Sequence, residues 1–166
     1  TDLRWMQQYG SVTTCFALFT QLQTGKSPWG DVLSLYERFK TEVQSTEGRL
    51  QHVTKPSRAG QSAILSIEEC QILEGNLGRI ETLAQWNVRL ATLTWNYEND
   101  LGYPHHRRGG LKRFGFEAVE AMESHAILVD VSHLNDEGVF DVLSIAKRPV
   151  IASHSNCRHI TNCSRN

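Results

Sequence analysis

The sequence lacks any long apolar run and any recognisable export signal. Its most apolar stretches, such as residues 126–131 with Asp130 inside them, are far shorter than the roughly 20 residues that a membrane-spanning helix needs. The first residues show no charged-then-apolar signal pattern. We therefore predict a cytoplasmic protein without a transmembrane segment.

Neither positive nor negative residues are in clear excess, and cysteines are few. With 17 Lys and Arg against 18 Asp and Glu, the net charge is -1, so the composition does not indicate a nucleic acid partner. The four cysteines form no Cys-x-x-Cys pair and are too few for a disulfide-stabilised scaffold, so reduced thiols are expected. A content of 40% hydrophobic and 21% charged residues is typical of a globular protein. Self-association into a homo-oligomer is left open.

Short apolar runs alternate with helical patterns, which is typical of parallel βα units. The predicted strands are residues 15–19, 63–67, 90–94, 126–131 and 150–153. Polar and glycine-containing segments at residues 46–62 and 96–112 are predicted to be loops. Because no repeat or composition break divides the chain, we predict one α/β domain over residues 1–166.

Helix start signals and apolar spacing predict the helices between these strands. Ser27-Pro28 combines a capping residue with a proline at the first helical position, and apolar residues follow at helical spacing. A second pattern runs from Leu73 to Ala84, and Asn135 is predicted to cap a third helix before Pro149.

The number of βα units limits the architecture. Five such units are too few to close an eight-stranded barrel, which typically needs about 250 residues. The chain opens Thr-Asp-Leu without Met and stops just after a strand-like run, so we expect it to be cut at both ends. The residues alone therefore predict either a fragment or an open sheet.

Three polar side chains follow predicted strands at the point where each strand ends. Glu68, His133 and His154 come after residues 64–67, 129–132 and 150–153. The carboxyl ends of parallel strands meet at one edge of the sheet, and carboxylate and imidazole are ligands that zinc accepts. A histidine after a strand is more often a hydrogen-bonded loop residue, so these positions alone leave a metal site and ordinary loops about equally favoured.

Several segments together resemble one family. Residues 127–136 and 149–156 are similar to the two metal-histidine segments of the renal (membrane) dipeptidases, the zinc metallopeptidases of family M19. Residues 63–68 resemble the segment that presents the bridging glutamate of that family. Residues 90–99 and 110–115 are similar to the fourth strand and following loop of its bacterial members. The similarity extends over nearly the whole chain, in the family's order and spacing.

The resemblance implies a (β/α)8 barrel with two zinc ions, here as a partial barrel of about five βα units without its first and last strands. In the family a metal-activated hydroxide attacks the scissile carbonyl of a dipeptide. Glu68 would bridge the metals, His133 and His154 would complete one zinc site, and Arg165 would contact the substrate. The second zinc also needs a His-x-Asp pair from the first strand, and this sequence contains none. We therefore expect at most one well-liganded zinc ion and weak or no peptidase activity from this chain.

The sequence departs from the family pattern at several positions. Trp95 stands where mammalian members carry a histidine, and Glu69-Cys70 stands where glycines usually follow the bridging glutamate. Cys70 is expected to be a buried thiol rather than a ligand. Asp130 and Asp136 flank His133; either could orient its ring, or both could equally be ordinary turn or cap residues.

Two rival functions remain open at this stage. One is a catalytically inactive scaffold whose incomplete sheet pairs with another chain. The other is a mononuclear hydrolase acting on a different amide. The basic run at residues 105–108 could attract a substrate carboxylate, but a solvated loop is the favoured interpretation.

Overall fold

The structure, a computed structural model, describes residues 2–21 and 27–166 and contains one parallel sheet. Within these residues the sheet has five strands: β1 (Val12–Phe19), β2 (Leu50–His52), β3 (Gln61–Glu68), β4 (Val88–Thr92) and β5 (Leu128–Asp130). The strand order is β1-β3-β4-β5, and β2 lies beside the first residues of β3. The parallel α/β prediction is thereby confirmed, whereas the single domain stays a prediction.

Helices connect most of the strands, and two of the helices begin at the predicted caps Ser27 and Asn135. Their bounds are α1 (Leu3–Met6), α2 (Pro28–Ser45), α3 (Gly78–Gln85), α4 (Arg113–Ser124) and α5 (Asp136–Ile145), with 3-10 turns at Gln7–Tyr9 and Cys70–Leu73. The Ser27 hydroxyl accepts from Gly30 N at 3.4 Å at the start of α2. Asn135 Oδ1 accepts from Gly138 N at 2.8 Å at the start of α5. Among the helices of the described ranges, none combines the length and the apolar character needed to cross a membrane.

The core surrounds the central strand β3. Its first seven residues are buried, as expected for a parallel strand covered on both faces. Apolar side chains from α3 and α4 are buried in the same core, including Ile80, Leu83 and Met122. This packing places the polar carboxyl ends of β3, β4 and β5 at one edge of the sheet.

One strand prediction and one loop prediction are wrong. Residues 150–153 form no strand; only Ile151 bridges to Asp130, with two backbone hydrogen bonds of 2.9 and 3.0 Å. Pro149 has no N–H to extend this ladder, and Ser153 N donates to the Asp130 side chain instead of to a backbone carbonyl. Conversely, the predicted loop over 46–62 contains β2, whose short Leu-Gln-His sequence shows no strand pattern.

The helix predicted between Leu73 and Ala84 is divided in two. Glu74 and Gly75 both have positive φ angles, 45° and 70°, which end the 3-10 turn before α3 begins at Gly78. Apolar spacing alone does not reveal such a break. The loop predicted over residues 96–112 is confirmed, apart from an isolated bridge between Pro104 and Leu134.

Gly115 allows α4 to approach the loop that follows β4. A Cβ at this position would lie 2.1 Å from the Leu101 carbonyl oxygen, and that backbone cannot move freely because Leu101 O also accepts from Lys112 N at 2.8 Å. We expect Gly115→Ala to lower the free energy of unfolding by about 1–3 kcal/mol in urea denaturation. Gly30→Ala is the control, since its Cβ would meet nothing closer than 3.8 Å. Equal urea midpoints for Gly115→Ala and wild type would contradict the close approach.

Candidate metal centre

The structure brings Glu68, His133 and His154 together at the carboxyl edge of the sheet. Glu68 is the last residue of β3, in register with Phe19 of β1 and Thr92 of β4. His133 lies three residues beyond β5, and its φ of 74° turns the chain back toward the sheet. His154 follows the Ile151 bridge. Burial differs between the two imidazoles, since His133 is buried and His154 is exposed.

The three potential ligand atoms form a compact triangle. His133 Nε2 lies 2.8 Å from His154 Nε2, and the two nitrogens lie 3.8 and 3.7 Å from Glu68 Oε1. A tetrahedral ion with ligand bonds of about 2.0–2.1 Å places its ligands roughly 3.3–3.4 Å apart. The observed separations bracket that value, so one ion of this size fits the triangle.

The hydrogen bonds at the other ring nitrogens determine where the imidazole protons lie. His133 Nδ1 faces Asn96 Oδ1 at 3.1 Å, so Nδ1 is the donor. His154 Nδ1 faces Ser153 Oγ at 2.7 Å, and the Ser153 hydroxyl proton is already donated to the Asp130 carboxylate. Ser153 therefore accepts from His154 Nδ1.

When both rings are neutral, their Nε2 atoms carry no proton, and these atoms face each other and a carboxylate oxygen. Three acceptors converge without a donor between them, which is unfavourable unless a cation lies among them. This arrangement, together with the imidazole and carboxylate chemistry, fits a divalent metal ion.

Asp130 organises the loops that carry both histidines. Its carboxylate accepts from Ser132 N and Ser153 N, both at 3.0 Å, and from Thr92 Oγ1 at 2.8 Å, in addition to the Ser153 hydroxyl. Burial acts to raise the pKa of Asp130, but the hydrogen bonds from Ser153, Ser132 and Thr92 outweigh burial and lower the pKa. Asp130 thus remains an ionised acceptor.

Of the two roles left open for Asp130 and Asp136, orientation of the His133 ring is not the one observed, since neither carboxylate is hydrogen-bonded to that ring. Asp130 acts on His154 through Ser153, while Asp136 forms two hydrogen bonds of 2.7 Å with Arg158 on the surface. Asn96 is the residue that contacts the His133 ring. Sequence reasoning missed Asn96 because an asparagine in a polar loop carries no distinguishing pattern.

The surroundings of His133 keep it neutral. Burial lowers its pKa to about 4, and the neighbouring Arg165 guanidinium and the nearby rings of His154 and His105 lower it further. A neutral imidazole is the form that binds a metal.

Arg165 lies beside the loop that carries His154. Its guanidinium donates to the His154 carbonyl and to Ser155 Oγ, both at 3.2 Å. Burial lowers its pKa, opposed by the neighbouring carboxylates of Asp130 and Glu68. The residue expected to bind substrate therefore lies near the three potential ligands.

The two residues after Glu68 are both buried. Cys70 is fully buried, and burial raises the pKa of its thiol well above the ordinary value, as expected for a packed rather than a ligating cysteine. Glu69 is also fully buried and has a φ of 84°. Burial raises the pKa of Glu69, opposed by hydrogen bonds from Asn99, Gln71 and Trp95.

Aromatic side chains adjoin the centre. The Trp95 ring lies 6.4 Å from the His133 ring and 5.0 Å from the Phe19 ring, measured between centroids.

In the basic run at residues 105–108, the side chains at 106–108 are exposed, in agreement with a solvated loop, and His105 Nδ1 contacts Ser164 Oγ at 3.0 Å.

Comparison with known proteins identifies the family. A sequence model of the membrane dipeptidases (peptidase family M19) matches residues 1–166. Dipeptidase verJ of Clonostachys rogersoniana is 34% identical over 116 residues, which are 66% of this chain and 29% of that protein. Dipeptidase 3 of Mus musculus is 29% identical over 107 residues, which are 60% of this chain and 22% of that protein.

Solved structures show the same fold. A metallopeptidase of Rhodobacter sphaeroides, liganded with a phosphinate mimic of the dipeptide L-Ala-D-Ala, superposes with a TM-score of 0.91 at 18% identity, over 100% of this chain and 59% of that one. The predicted partial (β/α)8 barrel is confirmed, with a candidate metal centre at its carboxyl edge. The chain belongs to the membrane dipeptidase family, and it spans less than a third of the length of the two curated relatives, 29% and 22%.

Proposed function

We propose that this chain is the metal-binding part of a zinc-dependent dipeptidase that hydrolyses the peptide bond of dipeptides. The observation that carries the proposal is the convergence of two imidazole Nε2 atoms and one carboxylate oxygen within 3.8 Å of one another. Membership of the dipeptidase family supports the reaction and the substrate class. The ligand set of nitrogen and oxygen atoms supports zinc.

The side chains divide into ligands and supports. Zinc, when bound, supplies Lewis-acid activation of water and of the scissile carbonyl. His133 and His154 would hold one ion through their Nε2 atoms, and Glu68 would contribute its carboxylate to that ion and to a second one. The His-x-Asp ligands of the second ion do not occur in this sequence, so we propose that the chain holds one half of a binuclear site.

Arg165 is proposed to bind the substrate. Two of the five N–H donors of its guanidinium are used by the His154 carbonyl and Ser155, which hold the group beside the ligands. A guanidinium held there can pair with a substrate carboxylate or with the negative charge that develops on the attacked carbonyl oxygen.

A dipeptide assay tests the reaction. The chain is compared with the same chain extended by a strand bearing His-x-Asp and by the last strands of a family member, each with zinc and with a chelator. We expect zinc-dependent hydrolysis of dipeptides in the extended protein and little or none in the chain alone. In the extended protein, Arg165→Ala should raise KM about tenfold or more, because hydrogen bonds to charged groups contribute about 1.5–3 kcal/mol.

Two other outcomes of this assay would contradict the proposal. An extended protein that is folded and loaded with two zinc ions, yet hydrolyses no dipeptide, would contradict the dipeptidase proposal and leave an inactive scaffold. Activity with only one zinc bound, directed at another amide, would replace the binuclear mechanism with a mononuclear one.

A further inference from the structure

Glu69 combines three features that rarely occur together in one residue. Its side chain is 0% exposed, its backbone has φ 84° and ψ 94°, and within residues 2–21 and 27–166 no ion pair includes it. Positive φ is a conformation that glycine adopts without strain and that other residues adopt at a cost. Burial of an unpaired carboxylate is also costly unless neutral donors surround it. A compensating interaction must therefore hold Glu69 in place.

The compensation comes from three N–H donors on two separate segments. Glu69 Oε1 accepts from Gln71 N at 2.9 Å and from Asn99 Nδ2 at 2.6 Å. Glu69 Oε2 accepts from Trp95 N at 3.0 Å. The carboxylate thus ties the end of β3 to the loop that follows β4.

That loop is itself fixed around Asn99. The Asn99 side chain donates to Leu93 O at 2.8 Å, and its Oδ1 accepts from Leu101 N at 2.8 Å and from Gly102 N at 3.1 Å. Because these hydrogen bonds hold the loop together, a shift of the Glu69 carboxylate is expected to shift the other residues of the loop.

Glu69 connects two segments, and each of them carries or contacts a potential metal ligand. Glu68 directly precedes Glu69 in the chain, so the backbone conformation at Glu69 affects where the Glu68 carboxylate points. Asn96 directly follows Trp95, and Asn96 Oδ1 accepts from His133 Nδ1. Glu69 is thus joined to Glu68 by a peptide bond. It is joined to His133 by its hydrogen bond from Trp95 N, the Trp95–Asn96 peptide bond and the hydrogen bond between Asn96 and His133.

We propose that Glu69 is a positioning residue that sets the placement of Glu68 relative to the Asn96-bound His133, and thereby the affinity and geometry of metal binding. This inference rests on the metal site of the proposed function, but not on peptide hydrolysis. The competing explanation is a local cap, because Glu69 also accepts from Gln71 N at the start of the 3-10 turn. A cap would affect stability without changing the metal ligands.

Titration of the purified protein with Zn²⁺ and Co²⁺ separates the two explanations. Co²⁺ absorbs visible light according to the number and arrangement of its ligands, so its spectrum reports the geometry independently of activity. One variant is Glu69→Gly, which removes the backbone strain at positive φ and all three hydrogen bonds to the carboxylate. The other is Glu69→Gln, which keeps the side-chain size but replaces one acceptor oxygen by an NH₂ donor. Far-UV circular dichroism and urea denaturation monitor folding of each variant.

Glu74 offers a matched control at the other end of the same 3-10 turn. It is also a glutamate with positive φ, 45°, and its carboxylate is likewise hydrogen-bonded, to Ser27, Trp29 N and Arg79. None of these partners is a potential ligand or Asn96. Glu74→Gly and Glu74→Gln should therefore leave the metal titration unchanged, whatever they do to stability.

We expect Glu69→Gly to weaken metal binding by roughly 10–100-fold and to change the Co²⁺ spectrum, with a smaller effect of Glu69→Gln. Wild-type affinity and spectrum in a folded Glu69 variant would overturn the inference and leave a local cap. If Glu69→Gly does not fold, the metal affinity and the Co²⁺ spectrum of Glu69→Gln decide between the two explanations. Wild-type protein that binds no metal would overturn the inference and the proposed function together. Altered metal binding in the Glu69 variants, combined with no dipeptide hydrolysis by the folded extended protein loaded with two zinc ions, would overturn the proposed function alone.

Discussion

Replacing either histidine of the metal centre is expected to abolish zinc binding by the chain. The wild-type protein should bind about one zinc ion, because two neutral imidazoles and one carboxylate provide three protein ligands. The Nε2 atoms of His133 and His154 lie 2.8 Å apart, so each contributes to the same ion. His133→Ala or His154→Ala leaves two ligands, and we expect the zinc retained after gel filtration to fall to background. Metal analysis of the purified protein measures the result.

The control for this experiment is a histidine of the same chain outside the centre. His125 is exposed and follows α4, before β5 begins, at the end of the strand opposite the ligands. His125→Ala should retain the wild-type zinc content. Zinc retained in both ligand variants, or lost in the control, would refute the assignment of the centre to these residues.

Replacing Asp130 is expected to destabilise the fold more than any surface substitution. Its buried carboxylate accepts four hydrogen bonds from three residues, Thr92, Ser132 and Ser153. Asp130→Ala leaves these donors without a partner inside the protein, and each unsatisfied buried donor costs about 1–3 kcal/mol. We expect the free energy of unfolding to fall by about 3 kcal/mol or more in urea denaturation.

Asp136 provides the matched control for Asp130. Its ion pair with Arg158 is on the surface, with side chains 59% and 44% exposed, so Asp136→Ala should cost no more than about 1 kcal/mol. Equal destabilisation by both substitutions would contradict the role of Asp130 as the buried acceptor of the two histidine loops.

The lowered pKa of Asp130 also predicts the pH dependence of its contribution. An aspartate whose pKa is lower in the folded state stabilises the protein fully above its ordinary pKa of about 3.9, and this stabilisation is lost as the pH falls through the folded value. Asp130→Asn should therefore be less stable than wild type at neutral pH and should lose less stability than wild type on acidification below about pH 4.

Part of the fold and of the site could be predicted from local signals. Alternation of apolar runs and helical spacing predicted the parallel α/β architecture, and the caps at Ser27 and Asn135 predicted two helix starts. Position after a strand selected Glu68, His133 and His154, which the structure brings within 3.8 Å of one another. The fold and helix-cap predictions succeeded because caps and periodicity are properties of neighbouring residues, whereas metal binding by the three residues stays a prediction.

Other features depend on contacts between residues far apart in the chain. β2 is a strand only because β3 pairs with it, and residues 150–153 stop short of a strand because Asp130 captures Ser153 N. Asn96 contacts a ring 37 residues away, and Glu69 joins two segments 26 residues apart. No local pattern encodes such contacts.

The sequence by itself determined the family, the partial barrel and the identity of the three potential ligands, because these depend on the order and spacing of motifs along the chain. Only the tertiary structure decided which ring nitrogens of the two histidines face the centre, since the other ring nitrogens contact Asn96 and Ser153. The tertiary structure likewise decided that Glu69 lies between Glu68 and the loop that holds His133. The physical reason is that hydrogen bonds are directional and short, so partners distant in sequence become fixed only when the strands and loops that carry them have packed together.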